Sequence, residues 1–468
     1  MTLHKKFLTA ALLFALAGSA LAQAGKNPHV DLKETRLANG LRVITVEDHN
    51  APVIAVNVTY NVGSRNERAG RTGFAHLFEH MMFQGSENVG KSEHFMLIQN
   101  NGGTMNGTTN EDRTNYFEAL PSNQLELALY LESDRMRSLA VNQENLDNQR
   151  NVVQEERRIG LDNAPYGKSG EIQQELMYDN FAYKHDTIGS MADLNAASVA
   201  DVQAFFKMYY APNNAVLTLV GDFRTVDAMA TVKKYFENIP RQPDPTPPDM
   251  TEPEQKAERR TSVDDVLARA MRVSIAYKTL PGNTADFYAL QVLANALGGG
   301  GGFGGGGGSS SRLYQKLVRE KEMVTGINAS AQETRGVGGF YVTATLRGNA
   351  KAEDVEAVVY DEIARLQKEP IADWELQKAK NGARRNFING LQSSLARANS
   401  IGQYAVYYGD PNLINTRLDK VSAVTKEDVQ RVANKYLVQT NRTVVITVPK
   451  GGGRGNPPPP VTPPTVSQ

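Results

Sequence analysis

A helix-to-strand unit occurs twice in this chain at a constant offset, and that repetition limits the fold more than any other feature. Asp201-Val202-Gln203 leads through Tyr210 into the apolar run Asn214 to Val220, and Asp428-Val429-Gln430 leads through Tyr436 into Arg442 to Val448. The offset is 227 residues, and it carries Asn214 onto Asn441. Each unit opens on a capping box, Ser198-Val-Ala-Asp201 in the first and Thr425-Lys-Glu-Asp428 in the second. Two such endings predict a duplicated α+β domain; chance likeness between two common helix–strand units is the alternative. A chain of 468 residues is also too long for one ordinary domain. Between the copies, PRQPDPTPPDMTEPEQKAERR is rich in proline and charge, so residues 241–260 read as a linker between domains at 30–240 and 261–450.

The ends read differently. Lys5 and Lys6 precede an apolar run from Phe7 to Ala17 and a small-residue ending through Ala22, the pattern of a secretory signal, 1–22. That run is too short to span a bilayer, no later segment has membrane length, and the expectation is an exported, periplasmic protein. The absence of cysteine excludes a lipoprotein anchor. The tail 451–468, GGGRGNPPPPVTPPTVSQ, is expected to be disordered. Lysine plus arginine equals aspartate plus glutamate at 51 each, which gives no electrostatic reason to expect nucleic acid or an anionic membrane surface as a partner.

The chemistry concentrates in His76-Leu77-Phe78-Glu79-His80, inside a stretch from Phe74 to Phe83 that reads as a helix. Positions i and i+4 share a face, so both imidazoles can reach one ion, and neutral imidazole is a good zinc ligand. Glu79 is placed to take a proton from a water that zinc has acidified. A solvated helix face is the alternative, but Phe74, Leu77, Phe78, Met81, Met82 and Phe83 surround these polar groups with apolar ones. A catalytic zinc needs a third protein ligand, and the helical stretch Asn145 to Ile159 offers Glu155 and Glu156. Adjacent residues point about 100° apart, and periodicity does not choose between them.

HLFEH, NGGTMNGTTNEDRTNYFEALP and NQRNVVQEERR closely resemble the pitrilysin, insulysin and mitochondrial-processing-peptidase family of inverted-motif zinc peptidases, over about residues 38 to 450. The resemblance implies one zinc per chain, held by His76, His80 and Glu156, with Glu79 as the catalytic base. In that family the distal glutamate follows the second histidine at the spacing Glu156 has here. An acidic residue seven positions earlier is common in some members, where this chain has Gln149. The resemblance also makes Gly102 to Thr108 an active-site edge strand able to pair with an extended peptide, with Asn106 as a substrate contact.

The second half keeps the helix without the ligands: Ala289 to Leu297 aligns with Ala75 to Phe83 and puts Leu290, Leu293 and Ala294 at the positions of His76, Glu79 and His80. The resemblance implies two homologous domains, each a mostly antiparallel sheet packed with helices, facing each other as a clam-like chamber around unfolded or short peptides. The glycine run Gly298 to Gly308 contains a GxGxxG match, but it follows a helix rather than a strand, so the dinucleotide reading fails. It resembles the glycine-rich loop of the processing peptidase's non-catalytic subunit; a flexible connection is the alternative. Many members carry an arginine and a tyrosine seven residues apart in this half; Arg319 fits, as a substrate-binding residue, but the tyrosine position is Gly326. The expectation is therefore the zinc-bearing metalloendopeptidase subunit of a hetero-oligomer whose homologous partner supplies the Arg/Tyr pair, or otherwise a homodimer. A non-catalytic peptide-binding or scaffolding member is the rival.

Overall fold

The computed structural model describes residues 27–299 and 308–451, so the signal-like segment, most of the glycine run and nearly all of the C-terminal tail lie outside it. Eleven described strands form two sheets. The first contains β1 (Lys33–Arg36), β2 (Arg42–Glu47), β3 (Val53–Tyr60), β4 (Thr104–Thr109), β5 (Thr114–Pro121) and β6 (Ala215–Gly221), in the order β1-β2-β6-β3-β5-β4. The second contains β7 (Arg259–Asp265), β8 (Arg272–Lys278), β9 (Val324–Ala331), β10 (Gly339–Leu346) and β11 (Arg442–Pro449), in the order β7-β11-β8-β10-β9. In each sheet one pair is parallel, β2 with β6 and β7 with β11, and the remaining neighbours are antiparallel. Without β1, the two orders are the same topology.

The repeated asparagine has the same work in both halves. Asn214 Nδ2 donates to Tyr209 O at 2.8 Å, closing the end of the Val199–Tyr209 helix onto the start of β6, and Asn441 Nδ2 donates to Tyr436 O at 2.8 Å before β11. The same amide reaches the end of the next strand, Asn61 O at 3.4 Å in one half and Lys278 O at 2.8 Å in the other. Both helices open with the expected capping boxes, Ser198 with Asp201 and Thr425 with Asp428.

β6 is buried along its whole length and β3 after its first residue, which is what an apolar run without alternation demands: both sheet faces are covered. On one face the Phe74–Met81 and Leu125–Ser138 helices join the core with Val56, Val58 and Leu217. On the other lies the Ser394–Tyr408 helix from the C-terminal half, whose Ile401, Tyr404 and Ala405 pack with Ile44, Ala55, Val216 and Val220. Gly402 lets that helix come close; a Cβ there would sit 2.5 Å from Thr59 Oγ1.

Residues 240–258 hold neither helix nor strand, and β7 starts at Arg259, inside the stretch read as linker. This segment is pinned to the structure around it. Glu252 accepts the Asp179 and Asn180 amides at 3.0 Å each and pairs with Lys278 Nζ at 2.5 Å, with both side chains of that pair under a tenth exposed. A second tie joins the halves at Asp112, which accepts Tyr183 Oη at 2.7 Å, Arg65 Nη1 at 3.1 Å and the Arg335 amide at 2.9 Å.

Candidate metal centre

The helix Phe74–Met81 is anchored by what precedes it. Gly73 has φ of +83°, and a Cβ there would stand 2.5 Å from Ile188 O, so both the turn and the close approach require glycine. The buried carboxylate of Glu67 then accepts the Gly73 amide at 2.9 Å and the Ala75 amide at 2.7 Å, two of the donors a helix start leaves unsatisfied. His185 Nε2 lies 2.9 Å from the same carboxylate, while its Nδ1 faces Phe181 O at 2.9 Å. Both ring nitrogens face oxygen atoms, an arrangement that favours the doubly protonated ring. Burial opposes that charge most strongly, but Glu67 together with the Phe181 and Ser64 backbone bonds raises the His185 pKa above its ordinary value.

One turn apart on this helix, His76 and His80 cross at 83° with ring centroids 4.8 Å apart. Glu156, near the end of the Gln143–Arg157 helix, brings Oε2 to 3.6 Å from His76 Nε2 and 3.3 Å from His80 Nε2. One ligand-type atom from each of the three lies within 4.8 Å of the others. Glu155 points elsewhere and pairs with exposed Arg158 at 2.9 Å. Packing of two helices thus separates the carboxylates that periodicity leaves equivalent.

The neighbours suit a metal. His80 Nδ1 lies 3.3 Å from Gln149 Oε1; as a donor there, it leaves the Nε2 lone pair on the Glu156 side. Gln149 therefore orients a histidine although it is not acidic. Burial, with His80 adding to it, holds His76 near 4, so that ring is neutral, as a ligand must be. With no metal bound, a proton on His80 Nε2 holds Glu156 below the usual carboxylate range, and a metal at Nε2 would take that proton's place. Two neutral-capable imidazoles and one ionised carboxylate are a zinc-type donor set.

Glu79 is buried and its pKa is raised by that burial, against the pull of a hydrogen bond from Thr109 Oγ1 to Oε2 at 2.6 Å. Thr109 and Gly107 both face the metal helix from β4. A Cβ on Gly107 would stand 3.0 Å from Glu79 Cγ and 3.1 Å from Oε1, so the strand approaches the carboxylate as closely as glycine permits. The sequence gives no signal for Thr109 beyond its period-two spacing from Gly107. β4 is the outer strand of its sheet and pairs only with β5 among the described strands. Asn106 is exposed on β4, one residue out of phase with Gly107 and Thr109, and its Oδ1 accepts the Gly107 amide at 2.9 Å. Arg319 is exposed in the π-helical segment Tyr314–Glu320, its guanidinium 5.8 Å from the Tyr314 ring. At Gly326, on β9, a Cβ would meet nothing within 4 Å.

Residues 42–164 match the profile of the insulinase family, peptidase family M16, and residues 196–383 that of the peptidase M16 inactive domain. The zinc protease PqqE of Helicobacter pylori is 31% identical over 446 residues, 94% of this chain and 98% of that protein. The chain belongs to the M16 peptidase family. The beta subunit of the mitochondrial-processing peptidase of Blastocladiella emersonii is 25% identical over 89% of this chain and 88% of its own. Among solved structures, a protease from Helicobacter pylori superposes with a TM-score of 0.84 at 30% identity, covering 90% of this chain and all of that one. A Pseudomonas fluorescens structure described as a peptidase M16 inactive domain shares the fold at 20% identity, with a TM-score of 0.80 over 90% of this chain. The first match ends at residue 164 and the inactive-domain match begins at 196, before β6, so it begins within the first sheet's half rather than at the proline-rich segment. No helix among the described residues is long and apolar enough to cross a membrane.

Proposed function

We propose that this M16 member is an exported zinc metalloendopeptidase that hydrolyses extended peptides. The observation that carries the reading is the convergence of His76 Nε2, His80 Nε2 and Glu156 Oε2 beside the buried carboxylate of Glu79. These three residues would hold one zinc ion per chain, which supplies Lewis acidity toward a scissile carbonyl and its attacking water. Glu79 accepts the proton of that water at its carboxylate and returns it to the leaving amine. Its raised pKa suits both steps, because a base that is too weak to hold the proton cannot deliver it later. Thr109 fixes the carboxylate's orientation, and Gly107 lets β4 lie against it. The open side of β4 offers backbone donors and acceptors to a substrate strand, and Asn106 contacts that strand from the exposed face.

The two halves, 30–240 and 261–450, act as domains joined by 241–260, and they enclose the substrate in a chamber that admits unfolded or short chains. Arg319 binds substrate in a complete assembly. The open space at Gly326 supports a partner, because no phenol stands where family relatives place a tyrosine. A homologous chain carrying the Arg/Tyr pair would complete the site, with a homodimer as the simpler assembly. Cleavage of unstructured peptides by the zinc-loaded chain, lost in Glu79→Gln with zinc retained, tests the reading. A folded, zinc-bound chain that binds peptides without cleaving them under any pairing would replace it with the binding-only role.

A further inference from the structure

Behind the part of the sheet that carries Thr109, a second set of ligand-type side chains lies wholly inside the core. His94 in the Glu93–Asn100 helix, Glu118 on β5 and Glu132 in the Leu125–Ser138 helix are 4%, 1% and 1% exposed. One atom from each lies within 4.8 Å of the others. His94 Nε2 stands 3.6 Å from Glu118 Oε2, too far for a hydrogen bond and the same separation as His76 Nε2 and Glu156 Oε2. Two atoms that each sit about 2.1 Å from one tetrahedral ion stand about 3.4 Å apart.

The hydrogen-bond account of the cluster is incomplete. Glu132 is satisfied by Arg135, whose Nε donates at 2.9 Å and whose Nη2 donates to the other oxygen. His94 Nε2, both oxygens of Glu118 and Arg135 Nη1 are buried with no hydrogen-bond partner. Polar atoms left like this are costly, and an ionised carboxylate is the costliest kind. Two carboxylates face one guanidinium, so closing the charge takes one further positive occupant, a metal ion or a proton. Burial holds His94 neutral, near 3, so its lone pair is available, and it pushes Glu118 up to about 8, so a positive occupant is favoured there.

We propose that His94, Glu118 and Glu132 form a second, structural divalent-cation site, one imidazole and two carboxylates suited to Zn²⁺ or Mn²⁺. Arg135 donates to both oxygens of Glu132, fixing that carboxylate, and lies 4.4 Å over the ring of Tyr116. Tyr116 in turn borders the Gly107 position that abuts Glu79. The ion ties two helices to β5 and stiffens the wall behind the catalytic base, without touching substrate. The inference does not depend on the proposed peptidase activity.

The test uses the full chain with the catalytic ligands removed, His76→Ala with His80→Ala, refolded with Zn²⁺ or with Mn²⁺ and then desalted into metal-free buffer. Elemental analysis should find one metal per chain, a thermal midpoint several degrees above that of the metal-free protein, and two metals per chain in the unaltered protein. Adding the isosteric Glu118→Gln should remove the metal and the midpoint shift while far-UV circular dichroism is unchanged. If that variant misfolds, His94→Asn takes its place, and anomalous scattering from crystals of the unaltered protein should show two peaks. A folded catalytic-ligand variant that carries neither ion overturns the proposal and leaves a proton on Glu118 as the occupant. Metal that persists in Glu118→Gln overturns it as well, since the ion then sits elsewhere.

Discussion

Glu67→Gln is the sharpest perturbation of the scaffold under the metal helix. The native carboxylate takes three hydrogen bonds, from the Gly73 amide at 2.9 Å, the Ala75 amide at 2.7 Å and His185 Nε2 at 2.9 Å. A glutamine of the same shape keeps one accepting oxygen, which can serve the Ala75 amide. Its NH2 group then faces the two donors that Oε2 served. Two charge-assisted bonds at about 1.5–3 kcal/mol each are lost, partly offset because a charge no longer has to be buried, for a net cost of roughly 2–4 kcal/mol. His76 is the third residue of the helix these bonds start, so the frayed turn should also weaken zinc binding, by about 10–100-fold. Urea unfolding of the zinc-free protein measures the first effect and chelator competition the second. A double-mutant cycle with His185→Phe should return a coupling of at least about 1 kcal/mol. A Glu67→Gln protein within about 0.5 kcal/mol of the original, with unaltered zinc affinity, would refute the argument that this carboxylate sets the helix.

Other expectations follow from the same geometry. Gly107→Val puts branched carbons where even a Cβ would crowd Glu79, and should lower kcat/KM by about 10²-fold with zinc content retained; unchanged kinetics would mean that β4 yields freely. Thr109→Val removes one hydrogen bond to Glu79 and should cost about tenfold in kcat, with KM little moved. Ile401→Ala, in the helix from the C-terminal half that covers the first sheet, should destabilise by about 2–4 kcal/mol and lower activity by loosening the halves. His185 is raised above its ordinary pKa, so the stability it contributes is fully present below about pH 6.5 and is lost as pH rises through the raised folded value. The destabilisation caused by His185→Phe should therefore shrink between pH 6 and pH 9; a difference that grows with pH would reverse the assignment of the charged ring.

The parts of this account that sequence reveals are those set by local spacing. His76 and His80 sit at i and i+4, and the capping boxes and the paired Asn214 and Asn441 make the same bonds in both halves. Helix periodicity leaves Glu155 and Glu156 equivalent; the family spacing singles out Glu156, and the packing of two helices brings it to the histidines while Glu155 pairs with Arg158. The Pro-rich segment shows its lack of helix and strand in its composition, but not its pins: Glu252 meets Lys278 from β8, and nothing in either residue's surroundings announces the pair. Ile401 and Tyr404 advertise a buried helix face without naming the sheet it covers, and that sheet belongs to the other half. His94, Glu118 and Glu132 are scattered over three elements at no motif spacing, so only the folded chain assembles them. Arg319 matches a family position in sequence, and in the fold its guanidinium lies over the Tyr314 ring.

The central claim, that Glu79 beside a zinc held by His76, His80 and Glu156 hydrolyses peptides, is tested most directly by digesting a library of unstructured peptides. The zinc-loaded chain is assayed alone and with a homologous chain bearing the Arg/Tyr pair, against Glu79→Gln under the same conditions. Internal cleavage is expected in at least one of these settings, abolished by the substitution while zinc content stays the same. Folded, zinc-bound protein that leaves every peptide intact in both settings, or a Glu79→Gln protein that cleaves as well as the original, would contradict it.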